Sequence, residues 1–205
     1  MKDNRVQHIT IQKINDAGVT ETADKVAVEE PLEIQLEYST QTGRMQKNIA
    51  VTMRTPGNDH ELAAGFLFTE GIIKNKAAIK EIKQSTADEN SVLIILQENI
   101  QPTLSNAARN FYSTSSCGIC GKASIESIRT ISQYTEQKDQ FIINAAVLYT
   151  LQAALKDHQK VFEDTGGIHA CALFDVAGNI LTLREDVGRH NALDKIVGAA
   201  LLNDE

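Results

Sequence analysis

The stretch that most limits the fold is Leu32-Glu-Ile34-Gln-Leu36-Glu-Tyr38, in which every second residue is apolar. Side chains alternate across a strand, so this period of two defines a β-strand with one buried and one wet face. The polar run Ser39-Thr-Gln-Thr-Gly43 reads as a hairpin connection, and Ile49-Ala-Val51-Thr-Met53-Arg54 as the partner strand. Upstream, Val6, Ile9, Ile11 and Ile14 alternate more weakly and predict one or two strands turning around Asp16-Ala-Gly18.

Thr55-Pro-Gly-Asn58 breaks the strand, and a helix follows. Asn58 with Glu61 has capping-box spacing, Leu62, Ala63, Phe66 and Leu67 share one helical face, and Gly71 is placed to end the helix. Ile72 to Ile82 reads as a short second helix, and Ser91-Val-Leu-Ile-Ile-Leu96 as a strand buried on both faces. Residues 1–105 therefore predict a small α+β domain.

Residues 106–205 have a different texture. Ala123, Ile125, Ile128 and Ile131 recur at helical spacing, and a further helix is predicted from Asn144 to Leu155 with Val147, Leu148, Leu151 and Leu155 as its stripe. Asp164-Thr-Gly-Gly167 is a turn, His169 to Phe174 a buried strand, Asp175-Val-Ala-Gly178 a tight turn, and Ile180 to Leu183 a second strand. A last helix is expected from Asn191 to Leu202, with Asn191 and Asp194 as a cap pair. Helices interleaved with short apolar strands predict a layered α/β domain.

The 205 residues are 42% hydrophobic and 23% charged, as in ordinary globular chains. No apolar run is long enough to span a bilayer, and the first residues lack the apolar core of a signal peptide, so a cytoplasmic chain without a membrane partner is expected. The net charge of −7 opposes general nucleic-acid binding.

Three cysteines, Cys117, Cys120 and Cys171, do not make a disulfide framework. Cys117-Gly-Ile-Cys120 lies in a run of small polar residues directly before the helix at Ala123, with Lys122 between them. A free thiol has a pKa near ~8.5; a helix N-terminus and a nearby cation favour the reactive thiolate. Incidental cysteines would prefer apolar surroundings. A structural zinc site would need Cys171, His169 or His190 to complete four ligands. A reactive pair, in redox or sulfur-transfer chemistry, is the preferred reading of the residues.

Two further constellations stand out. Gly166-Gly167-Ile-His169, taken alone, is a turn followed by a core histidine. Glu185-Asp186-Val-Gly-Arg189-His190-Asn191 packs two acids, an Arg, a His and an Asn at the mouth of a helix, where an anion such as phosphate is readily held.

Together, Ser115-Ser-Cys-Gly-Ile-Cys-Gly-Lys-Ala-Ser124, Thr165-Gly-Gly-Ile-His-Ala-Cys-Ala-Leu-Phe174 and Glu185-Asp-Val-Gly-Arg-His-Asn-Ala-Leu-Asp-Lys195 resemble the signature segments of FdhD-type formate dehydrogenase accessory sulfurtransferases. Leu62-Ala-Ala-Gly-Phe-Leu-Phe-Thr-Glu-Gly-Ile-Ile73 resembles a fourth. The resemblance implies a cytidine-deaminase-like second domain with a mixed sheet, a smaller α+β domain before it, and a cytoplasmic homodimer. It implies a sulfurtransferase that accepts sulfur from a cysteine desulfurase and passes it to the molybdenum cofactor, in bis-guanine-dinucleotide form, for formate dehydrogenase. Cys117 would carry the persulfide and Cys120 assist. Gly166, Gly167, His169, Glu185, Asp186, Arg189, His190 and Asn191 would line a pocket for the guanine nucleotide. No tightly held metal is expected, and Cys171 is expected in the core. Family members run on past Leu202, so the second domain is expected to be C-terminally incomplete.

Two other readings compete. A zinc nucleobase deaminase wants His-x-Glu before Pro-Cys-x-x-Cys, whereas this chain has Cys171 in place of the Glu, Ser116 in place of the Pro, and the cysteine pair ahead of the histidine. The other is a chaperone that binds cofactor and enzyme without moving sulfur.

Overall fold

The computed structural model describes residues 3–85, 89–104, 111–112 and 142–203. Strands β1 (Val6–Asn15) and β2 (Gly18–Ala27) form an antiparallel hairpin turning at residues 16–17, as the sequence suggests. β3 (Glu30–Thr40) and β4 (Gly43–Arg54) form a second hairpin. The alternation of β3 is realised in full: Leu32, Ile34 and Leu36 are completely buried, while Glu33, Gln35 and Glu37 are not. Register slips by one residue beside Ile34, so that Ile49 is the extra residue on β4, and Ile49 and its neighbour Ala50 are both buried.

Helix α1 (Asp59–Thr69) follows. Its end is as expected. Gly71 takes φ 68°, its N–H donates to the Phe68 carbonyl, and the Ile72 N–H donates to Leu67, which is a Schellman closure. Its start is not. Asn58 adopts a left-handed φ of 58° and its side chain caps nothing. Glu61, expected to complete the capping box, instead holds Arg184 through two bonds of 2.5 and 2.7 Å. A long-range guanidinium fork displaced a local cap.

The second helix expected over residues 72–82 is also absent. Ile72 and Ile73 drop into the core, Lys76–Ala78 make one 3-10 turn, and β5 (Ile79–Gln84) pairs antiparallel with β6 (Ser91–Leu96). The free edge of β6 provides hydrogen-bond partners that override the helical spacing of the isoleucines. β6, buried as predicted, runs parallel to β3, and β7 (Phe111–Tyr112) runs parallel to β4. The result is a five-stranded mixed sheet in the order β5-β6-β3-β4-β7. Leu62, Ala63, Ala64 and Leu67 of α1 pack on its β3 and β6 side chains to make the main core.

Beyond this sheet come α2 (Ala145–Lys156), α3 (Lys160–Thr165), the antiparallel pair β8 (His169–Phe174) and β9 (Ile180–Asp186), and α4 (Arg189–Asn203). The Asn144 side chain accepts the Ala146 N–H at 2.9 Å and starts α2 as expected, but its Leu148 is 54% exposed. The short helix α3 has no counterpart in the sequence pattern. β8 is half-buried rather than buried. The helix expected over residues 123–131 lies outside the described residues.

The mixed α/β architecture expected from the sequence is present, with four strands of its mixed sheet drawn from before residue 105. The halves on either side of that expected boundary interlock. α4 crosses α1 so closely that a Cβ on Gly65 would lie 1.9 Å from the Asp194 carbonyl oxygen, and one on Gly198 1.8 Å from that of Glu61. Only a residue without Cβ fits at either position. Asn191 and Asp194, expected as a cap pair, both lie inside α4 and face the first half: Asn191 bonds to β4, and the Asp194 carboxylate accepts the Thr69 hydroxyl at 2.9 Å.

Candidate functional site

Two of the three sequence constellations meet at one end of the β8–β9 pair, where His169 stands opposite Asp186 and Ala170 opposite Glu185. Gly166, at φ 67°, ends α3 and sends the chain through exposed Gly167 into β8. Ile168 is buried and His169 exposed. On the other strand, the Glu185 carboxylate accepts the Val161 N–H at 3.1 Å and the Phe162 N–H at 2.9 Å. These are first-turn donors of α3, which would otherwise go unpaired. Glu185 thus fixes the short helix whose far end is the Gly166-Gly167 turn.

Asp186, fully buried, is surrounded by donors. Its Oδ1 accepts from the Gly188 N–H at 2.8 Å and Asn191 Nδ2 at 3.1 Å; its Oδ2 accepts from the Thr55 N–H at 3.2 Å and Lys195 Nζ at 2.7 Å. The Lys195 ammonium is equally buried and also donates to the carbonyls of Thr55 at 2.9 Å and Glu185 at 3.4 Å. Burial pushes the Lys195 ammonium below its ordinary pKa, and the Asp186 carboxylate opposes that shift. A buried pair is tolerable only when its remaining lone pairs and protons are satisfied, and here they are. Asn191 completes the set, donating to the Met53 carbonyl at 2.7 Å and accepting the Thr52 hydroxyl at 3.2 Å.

Glu185, Asp186 and Asn191 therefore spend their polar atoms on the scaffold. Gly166, Gly167, His169, Arg189 and His190 are the exposed members of the predicted set. Arg189 and His190 open the first turn of the 15-residue α4, where the helix dipole favours an anion. The first helical bond of α4 runs from the Ala192 N–H to the Gly188 carbonyl.

Cys117 and Cys120 lie outside the described residues. Cys171 sits half-buried on β8 opposite Arg184, and burial pushes its thiol pKa up, which suits a packing role. Among the described residues no group of three or more His, Cys, Asp or Glu side chains is arranged to hold a metal. Nor is any described helix long and apolar enough to cross a membrane. An open polar cleft of about 650 Å³ lies at the start of α1, but its charged groups are largely committed: Arg54 holds Asp59 through two bonds and also reaches Glu30, and Glu61 holds Arg184.

Sequence reasoning missed Thr55 and Lys195. From the sequence, Thr55 is only part of a strand break. Lys195 carried a signal, since it lies on the same helical face as Ala192 and Ala199, where a lysine needs a buried partner.

This mixed α/β fold has a solved counterpart. Its fold matches the crystal structure of a protein from Desulfotalea psychrophila assigned as a formate dehydrogenase accessory protein, with a TM-score of 0.70 and 24% identity over 98% of this chain and 71% of the other. The chain belongs to the FdhD/NarQ family, whose model matches residues 27–205. Its relatives include proteins called sulfur carrier protein FdhD. That of Mycolicibacterium paratuberculosis is 44% identical over 185 residues, covering 87% of this chain and 65% of the relative. That of Picrophilus torridus is 42% identical over 181 residues, covering 88% and 65%, and that of Streptomyces avermitilis 40% identical over 197 residues, covering 92% and 67%. The chain thus spans about two thirds of the length of these relatives.

Proposed function

We propose that this chain is a sulfur carrier serving formate dehydrogenase, with Cys117 as the atom-bearing residue. The observation that carries the reading is the Cys117-Gly-Ile-Cys120 pair inside a region that matches proteins named as sulfur carriers. The donor is a cysteine desulfurase persulfide, R–S–SH. The Cys117 thiolate attacks its outer sulfur, R–S⁻ leaves, and Cys117–S–SH results. Cys120 then attacks Cys117 Sγ, expelling the outer sulfur as HS⁻ and closing a Cys117–Cys120 disulfide, so two thiols supply the two electrons that bring that sulfur to sulfide. A cellular dithiol returns the pair to thiols.

The acceptor is the molybdenum cofactor in its bis-guanine-dinucleotide form, bound as substrate by a cytoplasmic homodimer. Arg189 offers a bidentate guanidinium to a nucleotide phosphate at the start of α4, and His169, Gly166 and Gly167 form the neighbouring surface at the same end of the hairpin. Glu185, Asp186 and Asn191 hold that surface in place from behind.

Mass spectrometry after incubation with a cysteine desulfurase and free cysteine, without reductant, tests the carrier role. One extra sulfur on Cys117, lost in Cys117→Ala, is expected. An unmodified Cys117 overturns it in favour of a chaperone that binds cofactor without carrying sulfur.

A further inference from the structure

Thr55 is fully buried directly after β4, far in sequence from the Glu185–Lys195 segment, yet its N–H, hydroxyl and carbonyl are all engaged there. Its N–H donates to Asp186 Oδ2 at 3.2 Å. Its hydroxyl oxygen accepts the Val187 N–H at 3.1 Å, and its carbonyl accepts Lys195 Nζ at 2.9 Å. One side chain and its own peptide groups therefore grip three points of the segment: the last residue of β9, the turn, and the third residue after Ala192 in α4. The hydroxyl bond is the informative one. Val187 and Gly188 are the two residues between β9 and Arg189, and within that link the Gly188 N–H, bound to Asp186, and the Gly188 carbonyl, bound by the Ala192 N–H, are held from inside the segment. The Val187 N–H depends on Thr55, which belongs to the other half of the chain.

We infer that Thr55 is a positioning residue for the nucleotide surface: its hydroxyl fixes the Val187-Gly188 turn and thereby the direction in which Arg189 leaves the mouth of α4. This rests on the nucleotide reading given above. A bound phosphate at Arg189 would in turn favour the same turn geometry, so the Thr55 hydroxyl couples the chain just past β4 to the turn that carries the nucleotide surface.

The test uses the full chain and guanosine diphosphate as probe. Calorimetric affinities are measured for wild type, Thr55→Ser and Thr55→Val, with circular dichroism to confirm folding and thermal melts alongside. Thr55→Val keeps the shape and removes the acceptor; Thr55→Ser keeps the acceptor. The expected result is a loss of affinity of roughly tenfold in Thr55→Val, the equivalent of one hydrogen bond, with restoration in Thr55→Ser. Hydrogen exchange at the Val187 N–H is expected to quicken in Thr55→Val alone. A Thr55→Val protein that melts lower but binds as tightly as wild type overturns the positioning role and leaves the nucleotide reading standing. Wild type that does not bind guanosine diphosphate overturns the nucleotide reading itself, and the positioning role with it.

Discussion

Replacing Gly198 by alanine puts two physical effects in direct opposition. Gly198 lies inside α4, and in a helix interior alanine is favoured over glycine by ~1 kcal/mol, so propensity alone predicts a more stable protein. The crossing with α1 predicts the reverse. An alanine Cβ would stand 1.8 Å from the Glu61 carbonyl oxygen, 2.6 Å from its carbon and 2.9 Å from the Gly65 nitrogen. All three are backbone atoms that cannot swing aside, so the helices must part by more than ~1 Å, loosening close-packed contacts. Overpacking of this kind costs ~1–3 kcal/mol and occasionally more. With rigid backbone as the obstacle the upper end applies, which leaves a net loss of ~2 kcal/mol after propensity is credited. At ~2–4 °C per kcal/mol for a chain of this size, Tm should fall by roughly 4–8 °C in calorimetry. Gly65→Ala should behave alike, and the double variant should lose less than the sum, because helices already parted admit the second methyl more easily. A Gly198→Ala protein that melts at or above the wild-type temperature would refute the close crossing.

Asp194, in the same crossing, has its pKa raised to about 7, first by burial and further by the nearby Glu70 carboxylate, against the lowering effect of the Thr69 hydroxyl. The folded state then holds a proton that the unfolded chain releases near the ordinary aspartate value of 3.8, so this group's contribution to stability is complete below about pH 4 and fades as pH rises toward 7. Asp194→Asn should flatten the stability profile in that window by roughly 1 kcal/mol per pH unit; parallel urea-midpoint profiles for the two proteins would sink the idea. Lys195→Met should cost ~3–5 kcal/mol by stranding the buried Asp186 charge. Asp186→Asn combined with Lys195→Met should recover part of that loss, as read from urea midpoints.

Period and turn chemistry were legible because they are local. Leu32, Ile34 and Leu36 had to share a face whatever they packed against, Gly71 had to end a helix, and Asp175 to Gly178 had to turn, with the Asp175 side chain accepting the Ala177 and Asn179 N–H groups. The family was equally legible, since the three motif segments, from Ser115, Thr165 and Glu185, resemble it and its model matches residues 27–205.

What local chemistry could not decide is which partner a polar side chain takes. Asn58 and Glu61, or Asn191 and Asp194, have cap spacing in any chain, yet folding brought Arg184 to Glu61 across 123 residues and the Thr69 hydroxyl to Asp194 across 125. Thr55 looked like a strand break and became a triple anchor for a segment more than 130 residues away. A charged or bonded group buried by tertiary packing must be satisfied by whatever the fold places beside it, so the requirement outranks local preference. The sequence by itself determined the β1–β4 hairpins, the turns and the family motifs; tertiary structure alone decided that Ile79–Gln84 joins β6 as a strand, and that Glu185, Asp186 and Asn191 hold the scaffold while His169 and Arg189 face outward.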